Sequence, residues 1–185
     1  MERKLITMKA KAVLMDESGV RRALMRISHE ILEKNNGTKD VVVIGIRRRG
    51  SELAKRIADN IARIESAAVP CADIDISRFR DDLTALPESQ AILESELGFS
   101  VAGKKVILVD DVLFTGRTAR AAIEAVFSLG RPKEIQLAIL IDRGHRELPI
   151  RADYVGKSVP TSRSEMISVL IPPYDEETAV MLLDI

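Results

Sequence analysis

The sequence predicts an α/β fold with a mostly parallel central sheet flanked by helices. Three observations predict it. Residues 41–46, 106–109 and 135–141 are continuous apolar runs, the pattern of strands buried on both faces. The stretches between them carry apolar residues every three or four positions, the rhythm of amphipathic helices. The two patterns alternate along the chain, which calls for right-handed crossover connections.

Taken in order, residues 11–15 are a short strand. Asp16 or Ser18 then caps a helix whose inward face is Val20, Ala23, Leu24, Ile27 and Ile31, ended by Gly37. Residues 41–46 are the first buried strand, and residues 51–64 a helix with Leu53, Ala54, Ile57, Ile61 and Ile64 inward. Ile74 and Ile76 alternate with Asp73 and Asp75, so this strand has one polar face. Residues 78–103 show only weak periodicity; a connection this long inside a compact domain is usually functional. Residues 106–109 are a buried strand, 115–129 a helix closed by Gly130 and Pro132, and 135–141 another buried strand. Residues 154–156 and 166–170 are later, shorter strands.

A chain of 185 residues suits one domain, here 1–185. Hydrophobic residues make up 46% and charged residues 30%, the balance of a folded globular chain rather than a disordered one. The single cysteine, Cys71, excludes an internal disulfide framework and points to a reducing compartment, so a cytoplasmic location is expected. Cys71 itself precedes an apolar strand and suits core packing. No run reaches the roughly 18 apolar residues of a membrane span, and the N-terminus lacks the apolar stretch of a signal peptide. Aromatics at 3%, with no Trp, argue against a broad base-stacking platform.

The 28 basic and 28 acidic residues cancel, which excludes a uniform polyelectrolyte clamp. They are unevenly spread, however. Residues 164–185 hold five acids and no base: Glu165, Asp175, Glu176, Glu177 and Asp184. Residues 142–163 hold five bases against three acids, so one face of a neutral molecule can still be basic.

In open parallel sheets ligands bind beyond the carboxyl ends of the strands, which directs attention to the residues after Ile46, Val109 and Ile141. The richest segment runs Val106, Ile107, Leu108, Val109, Asp110, Asp111, Val112, Leu113, Phe114, Thr115, Gly116, Arg117, Thr118. Four apolar residues deliver two carboxylates to the end of a buried strand. A helix then opens at Thr115–Thr118, where free amides and a positive dipole end suit a phosphate and Gly116 lets the backbone come close. Carboxylates at one end and a phosphate cradle at the other suit a sugar phosphate. Asp110 and Asp111 as simple helix caps are the plainer reading, and a lone Asp pair would favour it.

The thirteen-residue pattern as a whole resembles the 5-phosphoribosyl 1-diphosphate (PRPP) motif of type I phosphoribosyltransferases. The resemblance implies that fold, with a small C-terminal hood built from segments after 141 and a flexible lid at about 78–103. It implies ribose contacts and catalysis at Asp110 and Asp111, 5′-phosphate contacts at 115–118, and a diphosphate loop at Arg47, Arg48, Arg49 and Gly50. Arg80, with Asp81 and Asp82, stands at the base of the lid, placed to close over PRPP; Arg80 is a further catalytic candidate. Mg²⁺ is implied as a partner of the substrate near Asp110 and Asp111, with no dedicated protein ligands. The nearest zinc-like pattern, His29-Glu30-Ile31-Leu32-Glu33, lacks its second histidine.

Three further stretches narrow the family. They are residues 141–162, the Val20-Arg21-Arg22-Ala23-Leu24 run, and Arg80-Asp81-Asp82-Leu83. Together they resemble the PyrR family, bacterial pyrimidine operon attenuation regulators that are also uracil phosphoribosyltransferases. The resemblance implies PRPP, uracil, UMP and UTP as ligands, with Arg143 and Ile167 at the base or nucleotide. It also implies a leader-mRNA hairpin as partner and a homodimer or higher homo-oligomer. The RNA face it implies is Arg22, Arg26, His29 and Lys34 on the first helix, with His145, Arg146, Arg151 and Lys157 as a second patch. Arg22, Arg26 and His29 recur at four and three residues and so share one helix stripe; without the resemblance a solvated face explains them. The alternative is a phosphoribosyltransferase without RNA regulation, possibly one acting on purine bases.

Overall fold

The computed structural model describes residues 9–80 and 97–185. The central part of the expected lid, with Asp81 and Asp82, lies outside the described residues.

Strand β1 (Lys9–Met15) leads into helix α1 (Glu17–Asn35). Asp16 is the cap: its carboxylate accepts the Gly19 N–H at 2.7 Å. The helix ends when Asn36 turns left-handed and the Gly37 N–H returns to the Leu32 carbonyl at 2.9 Å, so Gly37 closes the turn from just outside. Strand β2 (Val41–Ile46) is buried along its whole length, and α2 (Arg49–Glu65) follows after only two residues. Strand β3 (Cys71–Ile74) ends before Ile76. Ile76 is buried but opens a 3₁₀ turn (Ser77–Phe79), so the expected alternation through residue 76 stops two residues early. Strand β4 (Lys105–Leu113), α3 (Arg117–Leu129), β5 (Glu134–Asp142), β6 (Tyr154–Ser158), β7 (Glu165–Leu170) and β8 (Ala179–Asp184) complete the chain.

The main sheet has the order β3-β2-β4-β5-β6 and every pairing in it is parallel. Helices α1 and α2 cover one face. Val41, Val43, Ile107, Val109, Ala138 and Leu140 point toward them, packed on Ile27, Ile31, Leu53 and Ile57. Helix α3 covers the other face, where Val42, Ile44, Val106, Leu108, Leu137 and Ile139 meet Ala122, Ala125 and Val126. Apolar layers on both faces explain the unbroken apolar runs. Each fully buried Leu or Ile contributes about 1.5–3 kcal/mol.

A second sheet has the order β1-β8-β7 and is antiparallel. Strand β1 therefore pairs with the C-terminal β8 and is absent from the main sheet. Strand β8 carries a strand pattern that the sequence reading passes over. Strand β6, placed among the expected hood segments, instead extends the main sheet at its edge. Ile167, Val169 and Val180 of the second sheet pack into the layer that holds α1 and α2. The basic N-terminal strand and the acidic tail meet here: Lys11 pairs with Glu165 at 2.6 Å and with Asp184 at 3.5 Å.

Candidate active site and nucleic-acid face

Asp110 and Asp111 lie within β4, not beyond its end. The strand continues through Leu113, with Val112 opposite Ile141 and Leu113 opposite Asp142. The Asp111 N–H donates to Asp110 Oδ1 at 2.9 Å and the Val112 N–H to Asp111 Oδ1 at 2.8 Å. Burial raises the proton affinity of both carboxyls, most strongly at Asp110, where the Asp111 charge adds to it. Arg80 acts against the rise at Asp110, and Arg49 acts against it at Asp111. Burial and the neighbouring charge thus disfavour full ionisation of the pair, and a cationic partner would favour it.

Asp110 lines a cavity of about 340 Å³ together with Arg80, Phe114, Thr115, Gly116 and Thr118. Gly116 sits at the N-cap of α3 with φ +93°, a left-handed geometry that glycine adopts at least cost, so the helix begins at Arg117 and not at Thr115. The first-turn amides of α3 thus open onto the same cavity as Asp110. Residues 144–150 brace this turn. The Thr115 carbonyl accepts the Glu147 and Leu148 N–H groups at 2.9 and 3.1 Å, and Arg117 Nε pairs with Glu147 at 2.8 Å. The Arg117 side chain is therefore turned toward Glu147. Arg120 Nη2 donates to the Phe79 carbonyl at 2.6 Å, tying α3 to the base of the expected lid beside Arg80.

The loop after β2 lies against this site. A Cβ on Gly45 would fall 2.5 Å from the Gly50 carbonyl, and one on Gly50 would fall 2.6 Å from the Val109 carbonyl. Two glycines thus let the start of α2 rest on the end of β4. The Arg47–Arg48 peptide is cis. Arg47 pairs with Asp73 and Asp75, and Arg49 pairs with Asp175, while Arg48 is exposed at the N-cap of α2.

Arg143 is buried, at 6% exposure, and holds three oxygens: Thr161 Oγ1 at 3.0 Å and the Ser162 and Glu165 carbonyls at 3.1 and 2.7 Å. Its guanidinium lies 4.1 Å from the centre of the half-exposed Phe114 ring, and His145 meets that ring edge-on at 5.8 Å. Desolvation lowers the Arg143 pKa from its ordinary value. Ile167 packs in the core on β7, and neither it nor Arg143 lines the Asp110 cavity.

The basic residues divide differently from the two sequence patches. Arg22, Arg26 and Lys157 line one open groove of about 600 Å³ with residues 13–16 and Gly156. Arg26 donates to the Gly156 carbonyl and pairs with Glu30; Lys157 Nζ reaches the Leu14 carbonyl at 3.2 Å. Lys34 pairs with Asp153 beside the Tyr154 ring; His29 and Arg151 are exposed. His145 and Arg146 lie instead beside the Phe114 end of β4. Arg146 donates to the Phe114 carbonyl at 2.8 Å and the Ile150 carbonyl at 2.9 Å, and pairs with Asp142. These contacts tie the Phe114, Ile150 and Asp142 segments together at that corner. From the sequence, Asp175 is only one of five acids near the C-terminus, and nothing marks Glu147 as a partner of Arg117. The unpaired acidity of residues 164–185 was the available signal for Asp175.

The phosphoribosyl transferase domain model matches residues 14–177. Among curated proteins, the bifunctional protein PyrR of Caldicellulosiruptor bescii is 57% identical over 169 residues, 91% of this chain and 93% of that one. The bifunctional protein PyrR of Clostridium novyi is 55% identical over 177 residues, 96% and 99% of the two chains. Among solved structures, a hypoxanthine phosphoribosyltransferase from Staphylococcus aureus superposes with a TM-score of 0.70 at 21% identity, over 93% and 92% of the chains. One from Trypanosoma cruzi gives 0.71 at 19% identity, over 95% and 97%. At these identities the solved structures speak for the fold.

Proposed function

We propose the function from one premise: this chain belongs to the PyrR family of phosphoribosyl transferases. It transfers the phosphoribosyl group of PRPP to uracil, giving UMP and diphosphate. It also regulates pyrimidine operon expression by transcription attenuation, binding a leader-mRNA hairpin in response to uridine nucleotides. The observation that carries the catalytic reading is the meeting of Asp110 with the opening turn of α3 in one cavity.

The chemistry follows from that geometry. The α3 amides and the hydroxyls of Thr115 and Thr118 hold the 5′-phosphate. Asp110 and Asp111 accept hydrogen bonds from the ribose hydroxyls. As the C1′–O bond to diphosphate lengthens, the ring gains positive charge, and the two carboxylates stabilise it. Cationic groups at the site, Arg80 beside Asp110 and Arg49 beside Asp111, favour the charged form of both carboxylates. The loop at 47–50 faces the departing diphosphate, and Arg80 closes the other side. Positioning of uracil against C1′ supplies much of the remaining acceleration. Phe114, backed by Arg143, offers a flat face to the base.

The donor set fits magnesium. Asp110 and Asp111 are hard oxygen donors on adjacent residues of β4. Such a set suits an ion carried mainly by substrate phosphates with one or two carboxylates. Bound there, magnesium supplies neutralising charge to the diphosphate oxygens.

The Arg22–Arg26–Lys157 groove is the place for RNA phosphates. No helix among the described residues is long and apolar enough to cross a membrane. A cytoplasmic homodimer or larger homo-oligomer completes the proposal. Assaying uracil, hypoxanthine and adenine with PRPP and Mg²⁺ tests it. UMP formation from uracil alone supports the reading; turnover of hypoxanthine in its place would overturn it in favour of a purine enzyme.

A further inference from the structure

Arg49 stands one residue before Gly50 in the loop that faces the diphosphate, yet its strongest contact is with the far end of the chain. Arg49 Nε donates to Asp175 Oδ2 at 3.1 Å and Nη2 donates to Oδ1 at 2.9 Å. This is a fork-to-carboxylate pairing that fixes the guanidinium in plane and direction. Each partner favours the charged form of the other: Arg49 holds the Asp175 carboxyl below its ordinary value, and Asp175 raises Arg49.

Asp175 is itself anchored. Its Oδ2 also accepts the Ile171 N–H at 2.9 Å. The Ile171 carbonyl in turn accepts the N–H groups of Tyr174 and Asp175, each at 3.1 Å, and Ile171 is fully buried. Arg56 adds a second tie between α2 and this turn, donating to Thr178 Oγ1 at 3.4 Å. The carboxylate is thus a fixed post rooted in the core.

A guanidinium carries five N–H groups, so two engaged with Asp175 leave three for another acceptor. Gly50, the next residue, lies against Asp110, and the Asp111 charge adds to that of Asp175 in favouring charged Arg49, so Arg49 links the fixed post to the neighbourhood of the two acids. An arginine oriented before ligand arrives loses less freedom on binding than a mobile one.

We propose that Asp175 is a positioning residue for the diphosphate end of PRPP, holding Arg49 so that its remaining N–H groups face the diphosphate oxygens. The proposal rests on the phosphoribosyl-transfer reading above. It separates ligands sharply: PRPP and free diphosphate use the Arg49–Asp175 pair, whereas UMP, which has no diphosphate, does not.

The test is calorimetric titration of magnesium diphosphate and of UMP, with steady-state kinetics, on wild type, Asp175→Asn, Asp175→Glu, Arg49→Gln and the double variant Arg49→Gln/Asp175→Asn. Asp175→Asn is expected to raise the diphosphate Kd and the PRPP KM about tenfold, the size of one charge-assisted contact. The UMP Kd, and kcat at saturating PRPP, stay within about twofold. The double variant is no weaker than Arg49→Gln alone, since both act through one guanidinium. Asp175→Glu recovers part of the loss, and it carries the comparison with Arg49→Gln if Asp175→Asn fails to fold by circular dichroism. Tighter diphosphate binding by Asp175→Asn would overturn the proposal, because Asp175 would then be a competitor for Arg49. Equal weakening of UMP and diphosphate would also overturn it, as would additive losses in the double variant. Wild type that makes no UMP and binds no diphosphate would instead overturn the phosphoribosyl-transfer reading, and this proposal with it.

Discussion

Gly50 and Asp110 touch across the gap between α2 and β4. A Cβ built on Gly50 would lie 3.3 Å from Asp110 Oδ1 and 2.6 Å from the neighbouring Val109 carbonyl. The second contact is with backbone, so no rotamer change relieves it. The registration of the loop after β2 against Asp110 thus depends on one missing methyl group.

Gly50→Ala should therefore push the start of α2 away from β4 and separate the two halves of the proposed PRPP site. Displacements near 1 Å in such sites cost about 100-fold in rate. Steady-state kinetics should show kcat/KM for PRPP falling by about that factor, with a far-UV spectrum like that of wild type. Near-normal kinetics would show that the loop and the acids work independently.

Asp110→Asn should lower transfer strongly and yet stabilise the fold at neutral pH. The folded protein raises the proton affinity of Asp110, mainly by burial. Unfolding then releases a proton between the ordinary carboxylate range and the raised folded value, so wild-type stability falls as pH climbs through that window. The asparagine has no such loss. Melting curves at neutral pH should place the variant higher, by about 2–4 °C for each kcal/mol relieved at this chain length. The gap should close as pH falls below the ordinary carboxylate range, where wild type is protonated in both states. A lower Tm for the variant at neutral pH would contradict the burial argument.

Arg143→Gln should combine lost stability with weaker base binding. The Ser162 and Glu165 carbonyls and Thr161 Oγ1 lose the guanidinium they share. Each buried acceptor left unpaired costs about 1–3 kcal/mol. The Phe114 ring loses its backing as well. A drop in Tm should accompany a raised KM for uracil with little change in the KM for PRPP. If Tm falls and the uracil KM does not move, Arg143 is a prop for the 161–165 turn only.

The basic residues should separate into two classes when RNA binding is measured. Arg22→Gln and Lys157→Gln, in the groove beside β1, should weaken hairpin binding with transfer intact. Each should flatten the log–log salt dependence by roughly 0.7–0.9. Arg146→Gln should lower transfer and stability instead, because its guanidinium braces Phe114, Ile150 and Asp142. Filter binding with cognate and scrambled hairpins, with and without UMP, measures the first class. A coupling to UMP of about 1–3 kcal/mol is expected. Equal salt slopes in all three variants would remove the distinction.

Much of the fold was legible because local chemistry and final burial agree. The Val41–Ile46 run is apolar throughout, and both its faces are covered in the structure. The strand, turn and helix start of residues 110–118 were legible for a similar reason: they are contiguous in sequence. Strand β8 was harder to see, since its five apolar residues before Asp184 read equally as a tail. Only its pairing with β1 and β7, distant in sequence, makes it a strand.

What the sequence determined by itself was therefore everything carried by contiguous residues: the alternation of elements, the acids of β4, the glycine at the head of α3 and the family. The tertiary structure decided the partners of the charges. Arg22, Arg26, His145 and Arg146 are all basic in sequence, yet the first two line a groove while the last two pack beside Phe114 at the end of β4. Arg49 looks like a free ligand for diphosphate, and the fold gives it Asp175, 126 residues away. The physical reason is that periodicity and capping depend on neighbours three or four residues apart. An arginine's acceptor is set by which strands pair and which loops meet, and that information is spread over the whole chain.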